Sequence, residues 1–152
     1  EDFQNSMFIA ANARLLKQGL TTLNQFADVQ LCFRGRTARR VLIREEEGEL
    51  ISDIMPWDGR YVRYEIGRDG LEWAAYVTTR SQRAIENEYH ITTPGKIGRV
   101  LDVWDRSHNE VWVDNNKVVE QGHSNNFTPV VVSVVPLGYG PILMDLNRVQ
   151  YQ

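Results

Sequence analysis

Arg99-Val-Leu-Asp-Val-Trp104, Glu110-Val-Trp-Val-Asp114 and Pro129-Val-Val-Val-Ser-Val-Val135 are the runs that decide how this chain folds. They are built from β-branched and aromatic residues, which fit a pleated, half-buried surface. The connectors Arg106-Ser-His-Asn109, Asn115-Asn116 and Gly122-His-Ser-Asn-Asn126 carry residues suited to tight reversals. Upstream, similar runs predict strands over 29–34, 37–46, 49–57, 60–67 and 71–79, broken at Gly35-Arg36 and Glu45-Glu-Glu-Gly48. Arg68-Asp69-Gly70 reads as a hairpin turn, because Asp-Gly tolerates positive φ. Residues 80–88 are polar and fit one helical turn or a surface loop.

The first quarter has a different period. Ile9, Ala13, Leu16, Leu20, Leu23 and Ala27 recur at alternating steps of four and three, which places them on one face of a helix over 7–27. Asn5 or Ser6 can cap its start. The stripe serves either to cover the open face of a sheet or, through Ile9, Leu16, Leu20 and Leu23, as an assembly helix. The resulting expectation is a mainly β fold: an antiparallel β-sandwich of jelly-roll type with one N-terminal α-helix. Residues 1–152 form a single domain, with the helix over 7–27 and the sandwich over 29–152.

Composition narrows the function classes. A chain of 152 residues with 42% hydrophobic and 24% charged residues can bury a sizeable core. No apolar run approaches the ~20 residues that cross a bilayer, and no basic-then-apolar segment opens the chain. Met7 fits a native start with residues 1–6 as an addition; the sequence leaves this open. The single cysteine, Cys32, cannot build an intrachain disulfide and reads as a small buried hydrophobe. Arg34, Arg36, Arg39 and Arg40, with Arg44, form a basic strand patch. Glu45, Glu46, Glu47 and Glu49 follow at once, so pairing across a hairpin or between subunits is expected rather than nucleic-acid binding.

The hairpin holding the two C-terminal tryptophans admits two registers. A four-residue loop mixes Trp104 with Val111 and Val113 on one face. A five-residue loop or bulge turns Leu101, Val103, Val111 and Val113 inward and leaves Asp102, Trp104, Glu110 and Trp112 together outside. The second is preferred, because alternating charges suit a buried face poorly. Indoles flanked by carboxylates would suit a protein partner or a sugar ring, and the same indoles could instead be core. A two-residue loop at Asn115-Asn116 would place Asp114 opposite Lys117 and Val113 opposite Val118.

No catalytic or metal motif assembles. His90, His108 and His123 lie far apart in or beside turns, and no HExxH or CxxC spacing occurs. Asp105, Ser107 and His108 invite a triad, but neighbours in one turn seldom reach that geometry. Asp102, Asp105, Asn109, Asp114, Asn115 and Asn116 offer oxygen ligands for calcium, and turn chemistry explains the same residues. Asn126-Phe-Thr128 matches a glycosylation acceptor in a secretory context.

Glu88-Tyr-His-Ile91, Glu110-Val-Trp-Val-Asp-Asn-Asn-Lys-Val-Val119 and Gly140-Pro-Ile-Leu-Met-Asp-Leu-Asn-Arg-Val-Gln-Tyr151 resemble the jelly-roll sandwiches of the laminin-G and concanavalin-like group. Val113, Asp114, Asn116 and Lys117 match a "YVDGK"-like hairpin. Gly140, Asp145, Arg148, Val149 and Tyr151 approximate a closing "G-x-I-D-x-V-R-x-Y"-like strand. The N-terminal helix departs from that family, whose sugar and metal residues find no counterpart here. The resemblance implies a non-catalytic recognition domain for glycans or extracellular proteins.

The function expected from these features is a non-enzymatic structural or binding subunit of a multisubunit particle: a phage tail, a virion or a surface appendage. Its partners would be copies of itself or other protein subunits, with a glycan as the alternative. No nucleic acid, membrane span, cofactor or metal enters this reading.

Overall fold

The structure, a computed structural model, describes residues 2–46 and 48–135. Its contacts group these into two compact units: the residues up to Arg60 with those from Val131 onward, and Tyr61–Val130. The class is mainly β with an N-terminal helix, and every strand pair whose register is resolved is antiparallel.

The first unit opens with α1 (Asp2–Lys17) and α2 (Leu23–Arg34), followed by β1 (Arg36–Glu46) and β2 (Glu49–Trp57). One helix over 7–27 is therefore replaced by two. The break is a glycine C-cap: Gly19 takes φ 75°, its N–H donates to the Leu16 carbonyl, and the Leu20 N–H reaches the Leu15 carbonyl. That crossed pair satisfies carbonyls a helix end would otherwise leave orphaned. Thr22 then restarts the helix in a capping box with Gln25. Residues 29–34, read above as a strand, complete α2, which ends at Gly35 with φ 67° and its N–H on the Leu31 carbonyl. Cys32 consequently sits exposed on the helix surface and is not a core residue.

β1 and β2 pair from Ala38↔Trp57 to Glu46↔Glu49, and β8 (Val130–Val134) adds to the other side of β1, giving the order β2-β1-β8. Ala11 and Leu15 of α1, Leu23 of α2 and Ile54 of β2 form the core, with Val41 against it.

The second unit is an antiparallel meander of β3 (Val62–Gly67), β4 (Gly70–Ser81), β5 (Ile97–Trp104), β6 (His108–Val113) and β7 (Asn116–Gly122), in that spatial order. The hairpin expected at 68–70 is present, with Gly67 opposite Gly70 and Gly70 at φ 117°. The polar stretch 80–88 yields α3 (Gln82–Tyr89), capped by Ser81 and ended by His90 in the left-handed region. Ile85 of α3 packs on Val100, Val111 and Val113. Fully burying one such side chain contributes about 1.5–3 kcal/mol.

Two registers differ from expectation. Trp104 faces Asn109 and Val100 faces Val113, so the β5–β6 loop has four residues and not five. The charge objection fails because the Asn109 amide donates to Asp102 at 2.8 Å and to the Val103 carbonyl at 3.0 Å. In the next hairpin the central residues are Asp114 and Asn115, at φ 46° and 71°, one position earlier than expected. Val113 faces Asn116, Trp112 faces Lys117, and a bulge follows before Val111↔Val119. The Asp114 carboxylate fixes this turn by accepting from the Arg99 N–H at 2.8 Å.

Candidate functional site

The four-residue loop separates the two tryptophans. Trp104 and Asp102 lie on the face of Val100, Val111 and Val113, while Trp112 and Glu110 lie on the other. Trp104 is buried and stacks at a tilt on His123, ring centroids 5.7 Å apart. Both His123 ring nitrogens are shielded from water and find no hydrogen-bond partner among the described residues. Trp112 is half-buried and donates from Nε1 to Glu110 at 3.0 Å. The Lys117 ammonium sits 5.7 Å from its ring centre and 3.4 Å from the Glu110 carboxylate. The four residues singled out above therefore form no common platform.

The turn 105–108 resolves the triad question geometrically. Asp105 accepts from the Ser107 and His108 N–H groups, each at 2.6 Å, and from the Ser107 hydroxyl at 3.2 Å. The Ser107 oxygen lies 2.8 Å from His108 Nδ1, and the Asp105 carboxylate sits 3.9 Å from the same nitrogen. A relay needs the acid on the imidazole nitrogen that does not face the nucleophile; here acid and serine crowd the same one. Partial burial pushes the Asp105 carboxyl up, but those donated bonds and the His108 charge outweigh it and hold it below the usual carboxylate range. Among the described residues no group of three or more His, Cys, Asp or Glu side chains is placed to hold a metal ion.

The basic patch divides among four tasks. Arg40 and Arg44 share a strand face with Asp53, which lies opposite Leu42 between them. Arg40 and Arg44 reach one Asp53 oxygen at 3.0 and 2.9 Å, and Arg14 from α1 reaches the other at 2.8 Å. Arg34 pairs with Asp58 at 3.3 Å, beside Arg60 at 2.8 Å. Burial pushes the Asp58 carboxyl up, yet the Arg60 hydrogen bonds and the Arg34 and Arg60 charges bring it below its ordinary value. Arg39 lies over the Phe8 ring at 5.9 Å, and Arg36 packs its backbone against Gly59, where a Cβ would come within 2.9 Å of the Arg36 carbonyl oxygen. Across the β1–β2 hairpin, Arg40 and Arg44 of this patch pair with Asp53. Sequence reasoning missed Arg14 and Asp53, although Arg40 and Arg44 on one strand face, opposite an acid on the next strand, are visible once the 45–48 turn is drawn.

The stripe assigned to assembly splits. Leu23 is buried, whereas Ile9, Leu16 and Leu20 are 70%, 57% and 46% exposed. The helix seats itself instead through Ala11 and Leu15, both fully buried. Ile9, Ala13 and Leu16 run along its opposite side. Residues of α2, β1, β2 and β8 also line a cleft of about 90 Å³ within the first unit, walled by Phe26, Leu31, Ala38, Pro56 and Val131, with Thr37, Arg39 and Ser133 supplying its polar part.

No protein-family model matches this chain, and no curated protein matches it. The laminin-G-like resemblance rests on the quoted residues alone, and its closing strand, 140–151, lies outside the described residues.

Proposed function

We propose that this protein is a non-catalytic structural subunit that associates with copies of itself through the outer side of α1. The supporting observation is the distribution of exposed apolar residues. Among the described residues, eleven of the fourteen large apolar side chains that remain exposed belong to the first unit, and three to the second. A contiguous apolar surface held in water is costly unless a partner covers it. Ile9, Ala13 and Leu16 follow the four-then-three spacing of a helix–helix seam. Alanine between two larger residues leaves a notch that the same stripe on a two-fold-related copy can fill. A multisubunit particle is the setting this reading belongs to.

Light scattering coupled to size-exclusion chromatography tests it. The native chain should run as an oligomer, and Ile9→Asp and Leu16→Asp should run as folded monomers with unchanged circular dichroism. Both positions are exposed, so neither change strikes the core. A native chain that runs as a monomer refutes the reading.

A further inference from the structure

We infer that the cleft between α2 and the sheet of the first unit is a binding site for a short-chain aliphatic carboxylate. Its helix side is wholly apolar, with Phe26 and Leu31 among the lining residues, and encloses about 90 Å³. Protein interiors are close-packed, and a hollow forfeits the dispersion contacts its lining would otherwise make. On the scale where about 150 Å³ takes a benzene ring, such a hollow takes an aliphatic group of about four carbons.

The sheet side carries the polar groups. Arg34, Arg40 and Arg44 of the basic patch each reach a carboxylate within 3.3 Å. Arg39, which lines the cleft, reaches none among the described residues; it is half-buried, and its guanidinium lies over the Phe8 ring at 5.9 Å. An aromatic face is a weaker partner for a guanidinium than a carboxylate, whose two oxygens match its fork. Thr37 stands two residues before Arg39 on β1, so both side chains share one sheet face. Ser133 joins them from β8, the neighbouring strand. Among the described residues the Thr37 and Ser133 hydroxyls are spent on no other hydrogen bond. A guanidinium fork and two hydroxyls facing an apolar hollow suit a pair of anionic oxygens on a short apolar tail. A bare inorganic anion would leave the hollow empty, and an alkane would leave Arg39 without an acid.

Titration of the full chain with pentanoate, followed by backbone amide NMR, tests the site. The expected result is saturable one-to-one binding, with shifts centred on Phe26, Leu31, Thr37 and Arg39. From acetate to pentanoate the affinity should climb about fourfold per methylene, the worth of burying one such group, and should level off once the hollow is full. Pentanol, which has the chain length without the charge, should bind about tenfold or more weakly than pentanoate. Arg39→Gln should bring pentanoate down to the level of pentanol and leave pentanol unchanged. Ala27→Leu, which fills the hollow from α2, should abolish binding of both. Where either variant fails to fold, the contrast between pentanoate and pentanol on the native chain still decides. Absence of saturable shifts overturns the proposal, and so does equal affinity for the acid and the alcohol. An affinity that keeps climbing through octanoate also overturns it, because the tails then adsorb to exposed apolar surface instead of filling a cleft of fixed size.

Discussion

The second unit is a meander in which every strand lies beside its neighbour in sequence, whereas the first unit joins strands from opposite ends of the described chain. The meander closes its core with one short helix, α3, and leaves few large apolar side chains exposed. The other unit needs two helices, and even then much of its apolar surface faces water. The difference is one of how completely each fold buries its own apolar residues. Local hairpins can satisfy their own backbone and bury their own face. A three-stranded sheet with two helices on it leaves more exposed, and the association proposed above draws on that surface.

Truncating the centre of each core tests that contrast most severely. Leu15→Ala and Ile85→Ala each remove a fully buried side chain, and each should cost about 2–5 kcal/mol by urea denaturation. Hydrogen exchange then shows where the loss falls. Leu15→Ala should lower protection in α1 and β2, and Ile85→Ala in α3, β5 and β6. Equal loss across both units in either variant would mean that they unfold together, and the contrast would not survive.

A smaller effect sharpens the view of the second core. Gly98 of β5 is buried, and a Cβ there would lie 2.7 Å from Ile85 Cδ1, 3.1 Å from Thr93 Cγ2 and 3.1 Å from the Asp114 carboxylate. Ile85 is itself fully buried, packed on Val100, Val111 and Val113. Gly98→Ala should therefore destabilise by about 1–3 kcal/mol, the usual cost of overpacking. Restoring room with Gly98→Ala/Ile85→Val should recover part of that loss. An unaffected midpoint in the single variant would show a looser core than the distances describe.

How much of this was legible in the sequence follows the same division. The hairpins of the meander announce themselves through Asp69-Gly70 and through the asparagines near 115, because a reversal needs positive φ within a few residues. Their registers were less legible. Whether Trp104 points inward depends on whether Asp102 can be satisfied on a buried face, and that turned on one amide, Asn109, across the hairpin. The helical region held a local signal that the 4-3 stripe overrode: Gly19 and the Thr22-x-x-Gln25 pattern mark a stop and a start inside what reads as one helix. Val29 to Phe33 alternates like a strand, yet Leu23, Ala27 and Leu31 set a helical face that packing selects. The Asp53 cluster was half visible, since Arg40 and Arg44 belong to one strand while Arg14 arrives from a helix whose orientation no local pattern fixes. Pairing of β8 with β1 lies furthest from reach, because nothing in Val130–Val134 names its neighbour.

The smallest test compares the helix starts. Thr22 caps α2 through its hydroxyl on the Gln25 N–H at 3.4 Å, with Gln25 reaching back to the Thr22 N–H at 3.4 Å. Ser81 caps α3 through one bond to the Ala84 N–H at 3.3 Å. Losing such a cap costs about 0.5–2 kcal/mol. Thr22→Ala should fall near 1 kcal/mol, because it leaves the Gln25 N–H without its acceptor and the capping box with only its backbone half, and α2 restarts after an open break. Ser81→Ala should cost about half as much, because Ser81 is still held by strand pairing with Ile97 and Ile85 still anchors α3 from the core. Thr22→Asn, which keeps an acceptor at the cap, should restore most of the first loss. If the two alanine variants unfold at the same denaturant concentration, tertiary anchoring does not protect α3, and the short helix depends on its cap as much as the longer one does.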